Sequence, residues 1–593
     1  MPQKIVKPTE LSRRAVIRAS VGSAVLALGR STTAISAAQS VDTTPVSDRQ
    51  ERDAEASPLP GGITLADGEV SEGVVPKPGG ALKIVRPGKS VANFNPAAFA
   101  QDSQIPLSYL EPLVRADPQT MRPVPWLASN WEWRENGRSL AMGITSGTLW
   151  HDGSPLSASD AAFSFQVYWE DSDSAVAGLF ALVEAVEIVS DLEILVRFRE
   201  RDANWLFNAA TLPILSHKQY AYFWDEQPAN ARTLSGFDWS ESLPIGTGPW
   251  RVAEWDEGRV RFERSESYWR EVAWFDTLDV AVEVSKRNRL DAWMAGDSHL
   301  AWPVRVGDLD ALAGEKGTLY SAPAASVMFA AFNFTNPEQP SGSLWSDLRV
   351  RRAASLAIDR ERYATEVFGG FLRWDAAGTI GQPWANDASL LTPVYDPETA
   401  SVLLAEAGWI DYDGDGVLED VNGWPLRPVA ILRDDSRPEL AAVLARVARD
   451  LATVGIGLSI ESLDADAFAQ RWISARTYDL IAYAYDQLPG FTDYDLYGSA
   501  WDIRSNAAGW NPGGYANQHA DDAIDEFFAA ISIERQKTAL QRLQRAVDDD
   551  LFGLWFGFPQ DLVLVADDVA GFQPDMAWQT AQSWALWQTR APS

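Results

Sequence analysis

Aspartate occupies alternate positions in one short acidic stretch, at Asp411, Asp413 and Asp415, and Gly416 follows the last of them. Calcium-binding EF-hand loops place oxygen ligands at positions 1, 3 and 5, a glycine at position 6 and a bidentate glutamate at position 12. The stretch meets the first four requirements, but its position 12 is Asn422. It therefore has two interpretations: a weak calcium site built on the three aspartates, or an acidic turn that binds no metal.

Side chains typical of catalytic sites do not fall into catalytic motifs. No H-E-x-x-H pair and no G-x-S-x-G nucleophile elbow is present. Residues 88–90 copy the end of a phosphate-binding loop, but Lys83 stands where that motif needs its first glycine. No spacing pairs two carboxylates for glycoside hydrolysis. We therefore predict no catalytic residues and structural roles for the histidines, which are His151, His217, His299 and His519.

The composition argues against several kinds of site and partner. The absence of cysteine excludes disulfides, thiolate metal ligands and a cysteine nucleophile, and we expect no lipid anchor. With 50 Lys and Arg against 82 Asp and Glu, the formal net charge is −32, which repels phosphate backbones and anionic lipid. We therefore expect no nucleic-acid binding. The 26 tryptophans fit aromatic-rich cores, or alternatively a ligand cleft with stacking platforms.

The amino terminus has the features of an export signal. Arg13 and Arg14 follow a serine, a mildly apolar run covers residues 19–28, and small residues lead to Ala38. A basic segment, a short apolar run and an A-x-A-like end are typical of a signal peptide, and the paired arginines resemble a twin-arginine signal. We predict a twin-arginine-type signal peptide over residues 1–38 and a periplasmic or extracellular location. The alternative, an amphipathic surface helix, fits the unbroken apolar run less well.

The remaining chain is long enough for more than one folded unit. Residues 39–78 hold Asp, Glu, Ser, Pro and Gly with scarcely any aromatic residue, so we predict a flexible linker there. A chain of 593 residues exceeds what one hydrophobic core usually supports, so two or more lobes are expected. No apolar run in the body reaches the roughly 18–20 residues of a membrane span.

The stretch at residues 139–169 predicts a strand, a turn and a helix. Residues 139–144 roughly alternate as a half-buried strand does. Asp152 and Gly153 form a turn signal, Ser157 can cap a helix, and Asp160 in its first turn favours the positive helix end. The predicted buried face of this helix consists of Ala162, Phe165 and Trp169.

Residues 150–165 read WHDGSPLSASDAAFSF. This string resembles the W-H-D-G-x-P-L-x-A-x-D-x-x-F-S-F signature of extracytoplasmic solute-binding proteins, of the oligopeptide- and dipeptide-binding kind (family 5) that serves ABC importers. Further stretches resemble other motifs of that family in the same order, from about residue 80 to about residue 575. They are residues 80–85, 93–96, 109–114, 126–132, 245–252, 347–360, 395–409, 514–517 and 569–572.

The resemblance implies an α/β fold: the two-lobe periplasmic-binding-protein fold (type II, large peptide-binding class) with a hinge and an extra subdomain. The chain would cross to the second lobe near Pro323 and return near Trp555. Within residues 347–360, Val350, Ala354 and Ala357 share one predicted face, and we expect the arginines to be solvated. The implied domains are lobe I over residues 79–110, 206–322 and 555–593, the extra subdomain over 111–205, and lobe II over 323–554.

The resemblance also implies a ligand anchor in lobe II. In the peptide-binding relatives, an aspartate after a strand of this lobe pairs with the α-ammonium group of the peptide. Asp486 is the best positional match and Asp493 the second choice, although residues 487–490 depart from the usual A-D-Y-x-D-P pattern. An aspartate that only caps a turn is the alternative. Aromatic side chains that could contact ligand nearby are Tyr483, Tyr485 and Trp501.

The function implied by the resemblance is capture of a solute, without catalysis. We expect a monomer that binds small peptides and docks on an ABC permease and its ATPase. An oligosaccharide-binding protein of the same family is the first alternative, since the tryptophan content suits sugar stacking, and a secreted carbohydrate-active enzyme is the second. No cofactor is expected, apart from the calcium ion that the acidic stretch could hold.

Overall fold

The structure is a computed structural model of the chain. The described residues are 4–6, 63–66, 76–88, 91, 94–98, 105–117, 120–323, 326–339, 344–374, 383–387, 389–390, 394–486, 494–506, 509–573 and 586–588.

Strands are numbered in chain order. They are β1 (Lys4–Val6), β2 (Ile63–Leu65), β3 (Ala81–Arg86), β4 (Val114–Ala116), β5 (Pro123–Pro125), β6 (Ala128–Arg134), β7 (Ser139–Ile144), β8 (Val183–Ser190), β9 (Glu193–Phe198), β10 (Trp250–Asp256), β11 (Arg259–Arg264), β12 (Thr277–Val282), β13 (Leu300–Val304), β14 (Gly317–Pro323), β15 (Ser326–Phe332), β16 (Leu372–Arg373), β17 (Val429–Arg433), β18 (Ser459–Leu463), β19 (Leu480–Asp486), β20 (Gly553–Ala566), β21 (Val569–Ala570) and β22 (Trp587–Gln588).

The α-helices are α1 (Pro106–Tyr109), α2 (Ala158–Glu170), α3 (His217–Asp225), α4 (Lys286–Met294), α5 (Leu348–Leu356), α6 (Arg360–Phe368), α7 (Pro397–Glu406), α8 (Pro438–Ala452), α9 (Ala465–Ala469), α10 (Tyr494–Tyr497), α11 (Gln518–Ala529) and α12 (Ile533–Asp550). In the part of the chain that is described, none of the helices combines the length and apolar character needed to cross a bilayer.

The predicted strand–turn–helix unit is confirmed. The strand is β7, and α2 begins after Ser157, whose side chain forms a capping box with Asp160. Oδ1 of Asp160 also accepts the backbone N–H of His217, the first residue of α3, at 2.9 Å. The cap therefore joins two helices as well as starting one.

His151 and two glycines hold the turn before α2 against the loop that leads into β10. Nδ1 of the imidazole accepts the N–H of Gly246 (3.1 Å), and Nε2 lies 2.9 Å from the carbonyl oxygen of Gly248. These partners require the neutral ring with its proton on Nε2. A Cβ on Gly246 would lie 1.7 Å from the carbonyl oxygen of Tyr109, so a glycine is required for this close approach.

Two large sheets organise the described chain. One is an antiparallel five-stranded sheet in the order β1-β8-β9-β7-β6. Strands β6 to β9 lie in the segment predicted as the extra subdomain, whereas β1 belongs to the segment predicted as a signal peptide. A second sheet runs through both lobes in the order β10-β11-β12-β3-β13-β20-β15-β19-β17-β18, with β2, β14 and β16 attached beside this path. Lobe II is thus bonded to lobe I through a continuous sheet.

Two segments carry the chain between the lobes. The first lies between Pro323, where β14 ends, and Ser326, where β15 begins. The second lies inside β20, which pairs with β15 up to Gly557 and with β14 from Gln560 onward. A single strand therefore takes part in both lobes, and its change of partners falls just beyond the predicted crossing near Trp555.

Part of the segment predicted as a linker belongs to the sheet. Residues 63–65 form β2, which pairs in parallel with β14 from Gly317 to Leu319. Ile63 is buried in a small core of lobe I with Leu319. Without β2, one side of β14 would be a sheet edge with unpaired backbone groups, and β2 bonds to these groups. The burial of the Ile63 side chain adds to the stability of this pairing.

The basic run in α5 and α6 is not uniformly solvated, which corrects the expectation for its arginines. Arg351 and Arg360 are only 7% and 2% exposed. Arg351 donates to the carbonyl oxygens of Trp345 and Asp550, and Nε of Arg360 donates to that of Trp555 in β20 at 2.9 Å. The two arginines were expected to be solvated from their positions on the predicted helix, and this expectation is wrong. Their side chains extend beyond the helix surface and donate to backbone carbonyl oxygens of other segments.

Glu111 is the first residue of the segment predicted as the extra subdomain, and it is only 4% exposed. Its carboxylate accepts four hydrogen bonds of 2.8–2.9 Å. Burial raises the pKa of Glu111, and the four donors act in the opposite direction. The donors come from distant parts of the chain; they are Nε1 of Trp126, Oγ1 of Thr247, the hydroxyl of Tyr268 and Nε1 of Trp269.

We predict that Glu111→Gln lowers the stability of the protein. The amide has a single acceptor oxygen, so part of the donor set loses its partner inside the core, at about 1–3 kcal/mol for each donor. We expect a loss of about 2–4 kcal/mol, measured as a lower urea midpoint of tryptophan fluorescence. Glu132→Gln is the matched control, because Glu132 is exposed and pairs with Arg134, and it should change stability by less than about 0.5 kcal/mol. Equal effects of the two variants would contradict the role of Glu111.

His151 predicts an acid-sensitive step in stability. Burial lowers the pKa of its imidazole from 6.5 to about 4. The unfolded chain therefore binds a proton between these pH values that the folded chain does not, so stability is full above about pH 6.5 and falls as the pH drops toward 4. The loss amounts to at most about 3 kcal/mol. His151→Gln should flatten the pH dependence of the urea midpoint across this range, whereas the exposed His519→Gln should leave it unchanged. An unaltered slope in His151→Gln would exclude this mechanism.

Candidate ligand-binding cleft

The strand ends of lobe I face lobe II. β3 and β13 are parallel, and β13 is antiparallel to β20, with Leu300 opposite Val565 and Val304 opposite Leu562. Continuing along β20 in the same direction leads to Gly557 and into lobe II. The carboxyl ends of β3 and β13 therefore point toward the crossings. In open α/β sheets, ligands bind in the crevice outside the carboxyl ends of the strands.

In lobe II, the carboxyl end of a parallel strand also lies at the crossings. β17 and β19 are parallel to each other, and β15 is antiparallel to β19. Ser326, the first residue of β15 after the crossing, is paired with Asp486, the last residue of β19. The backbone of Asp486 therefore lies at the crossing, at the carboxyl end of a parallel strand.

Polar atoms without hydrogen-bond partners among the described residues occur on both sides of these crossings. The hydroxyl of Ser326, which is 3% exposed, and the indole N–H of Trp302 in β13 are both buried in this way. Buried polar groups nearly always have partners, so such atoms call for an explanation. Unpartnered indole N–H groups also occur deep in the core, for example on Trp205 and Trp224. The groups of Ser326 and Trp302 are candidates for ligand contact because they lie near the crossings.

Two of the three predicted aromatic residues, Tyr483 and Tyr485, lie on one face of β19, and Trp501 lies in a short turn after it. Tyr483 packs against Phe329, with ring centroids 4.7 Å apart, and its hydroxyl is buried with no partner in the described part of the chain. Burial holds the pKa of this phenol well above its ordinary value. Tyr485 is 7% exposed and its hydroxyl donates to Oδ1 of Asp495 at 3.3 Å. Trp501, 6% exposed, packs edge-on against Tyr494 at 5.3 Å.

The two predicted anchor aspartates are described unequally. For Asp486 the structure describes the backbone, and Asp493 lies outside the described residues. Asp495, which the sequence interpretation did not select, is 1% exposed and contacts Tyr485 in the same cluster. It belongs to the same aspartate-rich run as Asp493, and its burial could not be inferred from that run, because alternate aspartates are equally common in exposed turns.

The lobes also meet away from the crossings. Phe207 lies 5.7 Å from Trp384 in a stacked arrangement and 6.4 Å from Phe527, both of which belong to lobe II. The backbone N–H of Trp384 donates to the carbonyl oxygen of Thr120 at 3.3 Å. The segment predicted as lobe II therefore contacts the segments predicted as lobe I and as the extra subdomain away from the crossings.

The acidic stretch forms a compact loop at the surface of lobe II. Asp411, Asp413, Asp415 and Glu419 each bring a carboxylate oxygen within 4.8 Å of the others, which among the described residues makes them a candidate metal group. Glu419 is 7% exposed and accepts the N–H of Tyr412 at 2.9 Å. The EF-hand pattern places its fourth carboxylate at position 12, whereas here it is Glu419, at position 9. Backbone bridges from Glu419 to Ile410 and to Pro425 fold the chain back and bring this carboxylate to the aspartates.

Several contacts hold this loop in place. Oδ1 and Oδ2 of Asp411 accept the N–H groups of Gly414 and Gly416, at 2.6 and 3.1 Å. Arg427 donates to Oδ2 of Asp415 at 2.7 Å. One arginine cannot neutralise four carboxylates, and like charges at this separation repel one another. A divalent cation would relieve that repulsion.

We predict that calcium stabilises the protein through this loop. For a dissociation constant near 1 mM, typical of extracellular calcium modules, calcium at about 10 mM should add about 1.4 kcal/mol and raise the melting temperature of a chain of this size by about 1 °C. The measurement is a thermal melt at increasing calcium, with Asp413→Asn expected to abolish the shift and the exposed Asp466→Asn to preserve it. No upward shift at millimolar calcium would establish the loop as an acidic turn.

Comparison with known proteins gives this geometry a context. The family model described as bacterial extracellular solute-binding proteins, family 5 Middle, matches residues 122–503. The oligopeptide-binding protein AppA of Bacillus subtilis is 23% identical over 455 residues, which cover 74% of this chain and 79% of that protein. The nickel-binding periplasmic protein of Escherichia coli is 25% identical over 395 residues, which cover 63% of this chain and 69% of the relative.

Solved structures show the same fold. The Bacillus subtilis AppA structure, in complex with a nonapeptide, superposes with a TM-score of 0.61 at 20% identity and covers 87% of this chain and 100% of that one. An ABC transporter substrate-binding protein from Sinorhizobium meliloti gives a TM-score of 0.71 at 20% identity, covering 86% of this chain and 100% of its own. The predicted two-lobe periplasmic-binding-protein fold is confirmed. With two lobes, two crossings and a match over most of its length, the chain belongs to family 5 of the bacterial extracellular solute-binding proteins.

Proposed function

We propose that this protein captures small peptides between its two lobes and delivers them to a membrane permease coupled to an ATPase. The observation that supports the proposal is that the backbone of Asp486 ends β19 beside Ser326, the first residue of β15 after the crossing. An aspartate at the corresponding place suits recognition of a peptide α-ammonium group. The relative named as an oligopeptide-binding protein supports this choice of ligand.

The physical basis is the cost of a buried charge. A carboxylate enclosed between two lobes loses its hydration, and an approaching cation compensates for that loss. A neutral or anionic solute at the same place would leave the aspartate without a partner. The anchor therefore selects amines, and side-chain contacts with Tyr483, Tyr485 and Trp501 add area without demanding one sequence. Asp493 takes this role if Asp486 only caps the turn.

Closure links binding to transport. The ligand contacts both lobes only when they are shut, so binding shifts the population toward the closed form. The closed form then presents both lobes together to the permease. In this proposal the protein works as a monomer outside the cytoplasm, after export by the twin-arginine route directed by Arg13 and Arg14. Its task is complete when the ligand is released, and no bond of the ligand is changed.

An oligosaccharide ligand is the alternative within the family. It is favoured by the 26 tryptophans, but Trp150, Trp205, Trp224 and Trp250 are fully buried packing residues and do not offer a stacking surface. Nickel complexes are a third ligand class, since one relative is named as a nickel-binding protein. A carbohydrate-active enzyme would have to turn over its substrate, which stoichiometric binding does not require.

A thermal-shift screen separates these classes. The purified protein should be stabilised by some members of a set of di- to pentapeptides, and not by cello- or chito-oligosaccharides or by nickel with histidine. Mass spectrometry of the recovered ligands should show them unchanged. Stabilisation by oligosaccharides alone would replace the proposed ligand, and formation of any product would show an enzyme instead.

We predict that Asp486→Asn weakens peptide binding. Removing one partner of a buried charge pair costs about 2–5 kcal/mol, so the dissociation constant measured by calorimetry should rise by about 30-fold or more. The exposed Asp466→Asn in the same lobe is the matched control and should bind as the unmodified protein does. If Asp486→Asn binds normally and Asp493→Asn does not, the anchor is Asp493. Normal binding by both variants would reject an aspartate anchor in this run.

A further inference from the structure

An ion pair joins the two lobes beside the crossings. Nε of Arg305, in the segment predicted as lobe I, lies 3.4 Å from Oε1 of Glu439, in the segment predicted as lobe II. Within the described parts of the chain, neither side chain has a second ion pair. The next residue, Val306, also contacts lobe II, because a Cβ on Gly369 would lie only 3.0 Å from its Cγ1. The two lobes are therefore in close contact at this place.

The ion pair is not a contact between neighbouring strands. Arg305 directly follows β13, and Glu439 lies in the first turn of α8, which follows β17. In the large sheet, β20, β15 and β19 stand between β13 and β17, and four strand spacings amount to about 19 Å. β17 is parallel to β19, so its carboxyl end, like that of β13, lies on the side of the crossings. The two side chains thus meet across the crossings, and their separation depends on the angle between the lobes.

Each partner is positioned by contacts within its own lobe. The backbone N–H of Arg305 donates to Oδ2 of Asp308 at 2.7 Å, and the same oxygen lies 2.5 Å from Nζ of Lys286. Glu439 stands at the amino-terminal end of α8, where the helix dipole favours a carboxylate. The two charges are therefore held in place before they meet, which lowers the entropy lost when they pair.

The carboxylate of Glu439 has two ways to be stabilised. Its side chain is 22% exposed, and its Oε2 is buried with no hydrogen-bond partner among the described residues. A carboxylate that is partly removed from water is unfavourable unless a cation or water compensates for the lost hydration. Arg305 supplies the cation when the lobes are together, and water hydrates both groups when the lobes separate. Because Arg305 is 38% exposed, the pair should change the ratio of the two arrangements by only about two- to fivefold.

We infer that Arg305 and Glu439 form a latch that stabilises the closed arrangement of the lobes, in which the two side chains are in contact, before a solute is bound. The inference goes beyond solute capture, since it concerns the resting equilibrium of the lobes and holds for any class of ligand. A solute that contacts both lobes binds the closed arrangement, so the latch raises its apparent affinity. Salt screens a partly exposed ion pair, so the ionic strength of the surrounding medium modulates closure.

Distances between two spin labels measure this equilibrium. The chain has no cysteine, so labels attach only to an introduced pair: Glu257→Cys in the turn between β10 and β11, and Asp466→Cys in α9. Both positions are exposed and lie near opposite ends of the large sheet. In the protein without added solute, Arg305→Glu and Glu439→Arg should each lower the ratio of closed to open lobes by at least about twofold, measured by pulsed electron paramagnetic resonance. The double exchange, Arg305→Glu with Glu439→Arg, should restore it.

A matched control and a salt titration make the result specific. Arg287→Glu is the control, because Arg287 pairs with Asp291 inside α4 of lobe I, and it should leave the distances unchanged. Raising sodium chloride from about 0.05 M to about 1 M should open the unmodified protein and have no effect on Arg305→Gln, which also serves if a charge reversal does not fold. Distances that stay the same in both charge reversals, or a double exchange that fails to restore them, would overturn the latch. So would an equal response of the unmodified protein and Arg305→Gln to salt.

The outcome is independent of the proposed ligand. If the screen finds a peptide, Arg305→Glu should raise its dissociation constant by the factor by which the ratio of closed to open lobes falls, provided that the open form predominates. If no peptide binds, the distances still decide whether the latch exists. Peptide binding together with unaltered distances would overturn the latch and leave the proposed function intact.

Discussion

The arrangement of the whole molecule depends on the backbone pairing of β20. This strand of 14 residues bonds to β15 and β16 in lobe II and to β13 and β14 in lobe I. At the change of partners stands Gly557, with φ +123°, and a Cβ there would lie 2.6 Å from the carbonyl oxygen of Arg373. A residue with a side chain could not take this position without strain. The lobes are thus joined by hydrogen bonds that continue through a bend, which keeps the strand ends of both lobes facing one another.

The lobe II part of this strand is held by buried polar side chains. Arg360 donates to the carbonyl oxygen of Trp555, and the hydroxyl of Tyr363 donates to that of Phe556 at 2.7 Å. Burial lowers the pKa of Arg360, and its carbonyl partners compensate for the lost hydration. Glu111 follows the same rule on the other side of the molecule, where four donors surround one carboxylate. Each of these buried charges is tolerated because its hydrogen-bonding capacity is met by groups from distant parts of the chain.

The cleft has a different character from these structural sites. Around Glu111 and Arg360, donors and acceptors are matched within the protein. At the strand ends, by contrast, the hydroxyl of Ser326 and the indole N–H of Trp302 are buried without partners among the described residues. A site that leaves its polar groups unmatched until a solute arrives gains specificity, because a solute lacking the complementary groups leaves them unsatisfied.

Local interactions were readable from the sequence. The capped helix α2 and the strand β7 each depend on neighbouring residues, and both are present in the structure. The family motifs occur along this chain in the same order as in the family. That shared order was enough to identify the family and, with it, the two-lobe fold.

Contacts between distant residues could not be read in this way. The convergence of Trp126, Thr247, Tyr268 and Trp269 on Glu111 joins residues up to 158 positions apart. Other features also depend on how the chain folds back on itself. They are the burial of Arg351 and Arg360, the continuity of β20, the strand formed by residues 63–65 and the participation of Glu419 in the acidic loop. Sequence alone therefore determined the elements, their order and the family of this protein. Only the tertiary structure decided which polar groups are buried, which of them find partners and which face the cleft, because burial and pairing are properties of the packed chain and not of local sequence.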